Sequence, residues 1–191
     1  MIEFEKKLLE NPVIKYVIDE IKKRICMPES AIQMDYYYNH ILLCAYYATE
    51  LSKENNIEAE QQVISALLHD IARVNSDWIA NHEYYGAKEA DEILQTISYD
   101  QDKIALIKES IKNHKEGIRV NQNILTQVTA DADAISFLEN TNYFIDYEKT
   151  RNNDIETWLS LKLEDICGKI SQKVFLEYEE TIRELKKGMK L

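Results

Sequence analysis

The chain has 191 residues, long enough to bury a sizeable core as one domain or as one domain with an appended piece. Its 23 basic against 34 acidic residues leave a net charge of −11, a surface that repels polynucleotides and anionic membranes, so long-range binding to DNA or RNA is excluded. Gly (4) and Pro (2) are scarce and no alternating strand run with hairpin signals occurs, which points to an all-α protein.

Asn11-Pro12 reads as an N-cap followed by proline at the first helical position. Ile14, Ile18, Ile21 and Ile25 then recur on one helical face, which ends near Pro28. A second helix is predicted from about Tyr37 to Lys53, with His40 in its first turn. The third runs from about Ile57 to Ala72 and carries His69-Asp70 toward its C-terminal end. A polar loop, Arg73 to Asn81, leads to His82 and a helix patterned by Ala87, Ala90, Leu94 and Ile97. The next shows Ile104, Ile107 and Ile111, and three residues on comes His114, an extension of the apolar stripe that points inward. Gly117 is read as its stop. A helix over about Asn121 to Glu139 holds Asp131 and Asp133. Asn140 to Asp154 is read as a polar connector pinned by Tyr143, Phe144 and Tyr147. Two last helices are patterned by Trp158, Leu159, Leu163 and Ile166, and by Ile170, Val174, Tyr178, Ile182 and Leu185.

Cys26, Cys44 and Cys167 are scattered, odd in number and free of CxxC spacing, so reduced packing thiols are expected. The N-terminus lacks the basic-then-apolar build of a signal peptide, and no stretch approaches the ~18 uncharged apolar residues of a membrane span. A cytoplasmic protein is expected.

All four histidines fall into one order with acidic residues: His40, His69-Asp70, His82, His114 and the Asp131-Ala132-Asp133 pair. The dyad ends a run, Val63 to Leu68, that is apolar almost all round a helix and is therefore buried. A buried carboxylate beside a buried imidazole is costly unless paired or coordinated. For one such residue a satisfied core histidine is the simpler reading; for the ordered set it is one metal site. Imidazole and carboxylate suit divalent Mn, Fe, Co, Ni or Zn.

These residues resemble the HD superfamily of metal-dependent phosphohydrolases. Its H…HD…D pattern is matched by His40, His69-Asp70 and a late aspartate. Ala66 to Arg73 resembles the apolar-run-then-HDIGK box, with Ala72 for Gly and Arg73 for Lys. His82-Glu83-Tyr84-Tyr85-Gly86-Ala87 is similar to the H-x(3)-GA helix start of bacterial members. Ile111-Lys112-Asn113-His114 resembles the next histidine box, and Asp131-Ala132-Asp133-Ala134-Ile135 the DADxL element. The resemblance spans about residues 36 to 140. It implies an HD-like helical bundle over 36–140; outside it, the helical pattern is read as an N-terminal helix packed on the core within 1–35 and a C-terminal helical extension of the same domain over 141–191.

The resemblance implies metal ligation by His40, His69, Asp70 and Asp133. The A-D-x-L form selects Asp133 over Asp131, which then serves as an outer or capping carboxylate. His82 and His114 bind a second ion with Asp70 bridging, or face a phosphate as donors or general acid, so one or two ions per chain are expected. The implied chemistry is hydrolysis of a phosphate ester or anhydride of a small molecule, a nucleotide foremost, by a metal-activated water. Asp70 or a carboxylate just outside the ligand set orients that water, and Arg73 takes a phosphate oxygen or else complements its helix end. Lys88, Lys112, Lys115 and Arg119 are candidates for the pocket rim. A di-iron oxygenase and a non-catalytic metal-stabilised binding module stand as alternatives. The expected partner is a small phosphorylated substrate, not a nucleic acid polymer or a membrane, and a homodimer stays open. For the C-terminal helices, core completion is favoured over covering the pocket.

Overall fold

In the computed structural model, residues 1–55, 59–116, 123–151 and 153–188 are described, and among them all regular structure is helical. The first helix, α1 (Ile2–Leu8), was not foreseen as a separate element. Helix α2 (Pro12–Ile25) starts as expected: Asn11 Oδ1 accepts from the N–H groups of Val13 at 2.9 Å and Ile14 at 3.1 Å, with proline at the first helical position. Its isoleucine stripe is buried.

The next helical run is broken into α3 (Met34–Tyr36), a π-turn (Tyr37–Ile41) and α4 (Leu42–Asn55). The π-turn carries His40, and wide turns of this kind occur where a side chain must be re-aimed. Two contacts hold it. The Tyr37 hydroxyl donates to Glu5 of α1 at 2.8 Å, and Asn140 Nδ2 donates to the Asn39 carbonyl at 3.1 Å.

Helix α5 (Ala59–Leu68) is buried along nearly its whole length and stops earlier than the apolar run suggests. His69-Asp70 therefore lies in a turn, followed by 3-10 turns at Ile71–Val74 and Ser76–Asn81, and not inside a helix. The reason is local. His69 Nδ1 bonds the Ala66 carbonyl at 2.7 Å, competing with the backbone N–H that would continue the helix.

Helix α6 (His82–Thr96) begins at His82, and α7 (Gln101–Asn113) is capped by Asp100 and ends at His114. The stop expected at Gly117, like Arg119, lies outside the described residues. Helix α8 (Ile124–Glu139) is capped by Asn123 and is buried almost all round. The stretch read as a connector is mostly helix, α9 (Thr141–Thr150). Its polar composition hid the face on which Phe144 is buried, with Tyr143 and Tyr147 packed on the core. Helices α10 (Ile155–Lys169) and α11 (Gln172–Gly188) follow and pack on α8.

Helix α4 packs against α5 and α8, α5 against α7 and α8, and α6 against α7. One buried aliphatic core joins these helices to α2, α10 and α11. Inside it the hydroxyls of Ser65, Ser110 and Thr129 bond one another at 2.8–3.0 Å, tying α5, α7 and α8 together with every hydroxyl satisfied. Gly86 lets α6 lie close to the dyad turn: a Cβ there would sit 3.3 Å from the His69 carbonyl and 3.3 Å from Ile111 Cγ2. No described helix is long and apolar enough to cross a membrane.

Candidate metal centre

Three of the four histidines are set by the same device. His69, His82 and His114 each place Nδ1 on the carbonyl three residues back, at Ala66 (2.7 Å), Ile79 (2.9 Å) and Ile111 (2.7 Å). A carbonyl can only accept, so Nδ1 carries the proton and Nε2 presents a lone pair. His40 reaches the same state differently. The single Ser136 hydroxyl proton goes to the Asp133 carbonyl at 2.8 Å, so Ser136 Oγ accepts from His40 Nδ1 at 2.8 Å.

These acceptor nitrogens converge. His40 Nε2 and His69 Nε2 are 3.2 Å apart, and Asp70 Oδ2 lies 3.2 Å from the first and 3.6 Å from the second. Asp133 Oδ1 lies 3.4 Å and 3.8 Å from the same pair. Asp70 turns its other oxygen, Oδ1, to His82 Nε2 at 3.1 Å. The His114 ring stands 5.2 Å from that of His69 and 5.4 Å from that of His82, centre to centre. All six residues are buried. Burial holds the imidazoles of His40 and His82 below their ordinary value although Asp70 pulls the other way. His114 is held well below it by burial and by the two neighbouring imidazoles.

Neutral imidazole lone pairs facing each other and two carboxylates repel unless a cation lies among them. His40, His69 and Asp133, and likewise His69, Asp70 and His114, each bring one donor atom within 4.8 Å of the others, so a metal ion fits. Cys44 sits beside the first group, but its thiol faces Ser136 at 3.2 Å and burial raises it well above the usual range, which keeps it protonated. The three cysteines are unpaired.

The two carboxylates are ionised despite burial. Burial alone would raise Asp70; the Arg73 guanidinium, with Nε 2.8 Å from Oδ1, outweighs it and holds the carboxyl well below the usual range. Asp133 is held down in the same way against burial by Lys169, whose ammonium bonds Oδ2. Asp131 has a different task. Its Oδ1 accepts from the Ser171 N–H at 2.7 Å and from Gln127 Nε2 at 2.9 Å, which fastens α8 to the start of α11, and burial raises its carboxyl.

Beside this cluster opens a cavity of about 640 Å³ including its mouth. His40, Asp70, Arg73, His82, His114 and Asp133 line its inner end. Lys115 also lines it, paired with Glu83 at 2.9 Å. Lys88 and Lys112 do not: they border a separate groove between α6 and α7, with Lys88 over the Tyr84 ring. Sequence reasoning missed the rest of the cavity wall. Tyr36 donates to Asp70 Oδ2 at 2.5 Å, Phe144 and Tyr147 come from the supposed connector, and Trp158, Lys162, Asp165 and Lys169 come from α10. The α10 extension thus covers the pocket as well as completing the core. Its signal was the four-three-four spacing of those last residues, one face of a helix adjoining the Leu159-Leu163-Ile166 stripe.

Among solved structures, the chain is similar to a predicted HD superfamily hydrolase from an uncultured Thermotogales bacterium. The identity is 24% over 66% of this chain and 67% of that one, with a TM-score of 0.50, a likeness of fold. Among curated proteins none matches. The family model of the HD domain matches residues 37–138, from the π-turn through the end of α8. That interval contains each histidine of the cluster, the dyad and Asp133, and the chain belongs to the HD domain family.

Proposed function

We propose that the chain is a metal-dependent phosphohydrolase that cleaves a phosphate ester or anhydride of a small molecule, a nucleotide foremost. The observation that carries this reading is the convergence of proton-free imidazole nitrogens and two ionised carboxylates at the inner end of a cavity lined by Arg73, Lys115, Lys162 and Lys169 as well as by Asp70, Asp133, Glu148 and Asp165. Its likeness to the Thermotogales protein, a predicted hydrolase, agrees with this reading.

His40, His69, Asp70 and Asp133 would hold one divalent ion. His82 and His114, with the second oxygen of Asp70, would hold another. A bound divalent ion lowers the pKa of water toward neutrality and neutralises phosphoryl charge. Asp70, ionised and set among the imidazoles, would orient the attacking water. Arg73 keeps Asp70 ionised and lines the cavity; its remaining N–H groups would serve a phosphoryl oxygen as hydrogen-bond donors, its charge being matched by Asp70. The water oxygen forms the new bond to phosphorus and the bond to the leaving oxygen breaks with its electron pair. That oxygen gains a proton, so the products are an alcohol (or a shorter phosphate) and phosphate.

The aromatic outer wall of Phe144, Tyr147 and Trp158 supports a substrate whose leaving portion is flat and apolar-faced, as a nucleobase is. The test is phosphate release from nucleotides, dinucleoside polyphosphates and simple phosphomonoesters by chelator-stripped protein reloaded with Mn, Co, Ni, Fe or Mg. Metal-dependent release with at least one class is expected. No release with any metal, together with oxygen consumption by anaerobically prepared iron-loaded protein, would transfer the site to di-iron oxygenase chemistry.

A further inference from the structure

Four cationic side chains line the cavity: Arg73, Lys115, Lys162 and Lys169. Three have carboxylate partners within ion-pair distance. Arg73 pairs with Asp70, Lys115 with Glu83, and Lys169 with Asp133 and, at 3.7 Å, Asp165. Among the described residues Lys162 has none within that distance. Its ammonium lies over the Phe137 ring, 5.5 Å from the centre, a face that itself lines the cavity. Such a contact offsets only a small part of the cost of removing an ammonium from water. Long lysines normally extend their heads to solvent, yet this one is half-buried on the helical face that Trp158, Asp165 and Lys169 also present to the cavity. Burial lowers its ordinary value against the attraction of Asp133 and Asp165, and Lys169 and Arg73 add to the lowering.

A half-buried ammonium with no carboxylate within ion-pair distance, on the wall of a cavity whose inner end holds the histidine–aspartate cluster, has its charge free for an entering anion. We propose that Lys162 is the substrate-binding residue for the phosphoryl group, a phosphate-recognition element supplied by α10 from outside the HD-matching residues. The anion it takes is a phosphate dianion or terminal phosphoryl group, whose oxygens can reach the metal cluster on one side and an ammonium on another. The proposal rests on the phosphohydrolase reading of the cavity. It explains how an acidic chain admits an anion: the positive charges of Arg73, Lys115 and Lys169 are already matched by its own carboxylates, and that of Lys162 is not.

The experiment uses the full chain loaded with Mn²⁺, with inorganic phosphate as the probe, measured by calorimetric titration and as product inhibition. Lys162→Met should weaken phosphate binding by roughly 10- to 100-fold, the range expected of a charge-assisted hydrogen bond. It should raise KM more than it lowers kcat and leave the manganese content per chain as in the wild type. Lys162→Arg should recover most of the affinity, and Lys162→Gln, of similar length and polar, should reproduce the loss if methionine perturbs folding. Wild-type phosphate affinity in both Lys162→Met and Lys162→Gln overturns the proposal while leaving the phosphohydrolase reading in place. A manganese-loaded wild type that neither binds phosphate nor releases it from any ester overturns both.

Discussion

Asp131 and Asp133 stand two residues apart on α8 and are both buried, yet they face different partners: Ser171 and Gln127 for the first, two imidazoles and Lys169 for the second. Asp133→Ala should therefore remove most bound metal, and it should also destabilise the protein by up to about 3 kcal/mol, since the buried Lys169 ammonium keeps only the longer contact to Asp165 at 3.7 Å. Asp131→Ala should keep the metal and cost about 1–3 kcal/mol through the orphaned Ser171 N–H. Elemental analysis and chemical denaturation separate the two, and greater metal loss at Asp131 would reverse the assignment. Titration gives a second check at this scale. His40, His82 and His114 have folded values below the ordinary 6.5, so the unfolded chain takes up protons first as the pH falls. The metal-free protein should lose thermal stability from about pH 6.5 downward. Asp70 and Asp133, depressed below 3.8, extend the loss to lower pH. His114→Gln should show a shallower fall between neutral pH and about pH 5, and an identical slope would sink the claim that these imidazoles are buried neutral. His69 and His114 were legible because each ends an apolar stripe, and His40 and His82 because they complete one ordered set with them. Lys162 and Lys169 were not, because a lysine beside a stripe is usually solvated and only the packed structure shows what lies over it.

At the scale of elements, the dyad depends on how closely α6 can approach the turn after α5. Gly86→Val would place methyl groups where a Cβ alone already meets the His69 carbonyl and Ile111 at 3.3 Å. Part of that contact is backbone, so the turn itself must shift. About 1–3 kcal/mol of stability should be lost, and metal affinity should fall with it because His69 moves. Equal metal affinity in Gly86→Val would show that the turn tolerates displacement. The helix starts at Pro12 and His82 and the stripes of α2, α6, α7 and α8 were readable from capping residues and periodicity. The π-turn was not, because a widened turn changes no apolar spacing over so few residues; it is held by Glu5 and Asn140, far away in the chain. Helix α9 was hidden by polar residues on its exposed face, and the end of α5 by an imidazole that takes a backbone carbonyl.

For the whole molecule, the net charge of −11 and the cation-lined cavity act on an anion in opposite directions. Long-range repulsion slows its approach and short-range cations hold it. Raising ionic strength from low to near-physiological should therefore increase kcat/KM for an anionic substrate, since screening acts on the distant charges more than on the buried ones. A fall across that range would mean that the local cations dominate the approach as well. Centrally, we propose that the six buried donors hold metal and that Asp70 serves both halves, one oxygen lying toward His40 and His69 and the other toward His82. Metal content per chain, measured by elemental analysis after chelation and reloading with Mn²⁺, tests this most directly. The wild type should approach two ions, His82→Ala and His114→Ala should fall toward one, and Asp70→Ala should hold none while its helical circular dichroism is retained. Full metal retention in Asp70→Ala would contradict it.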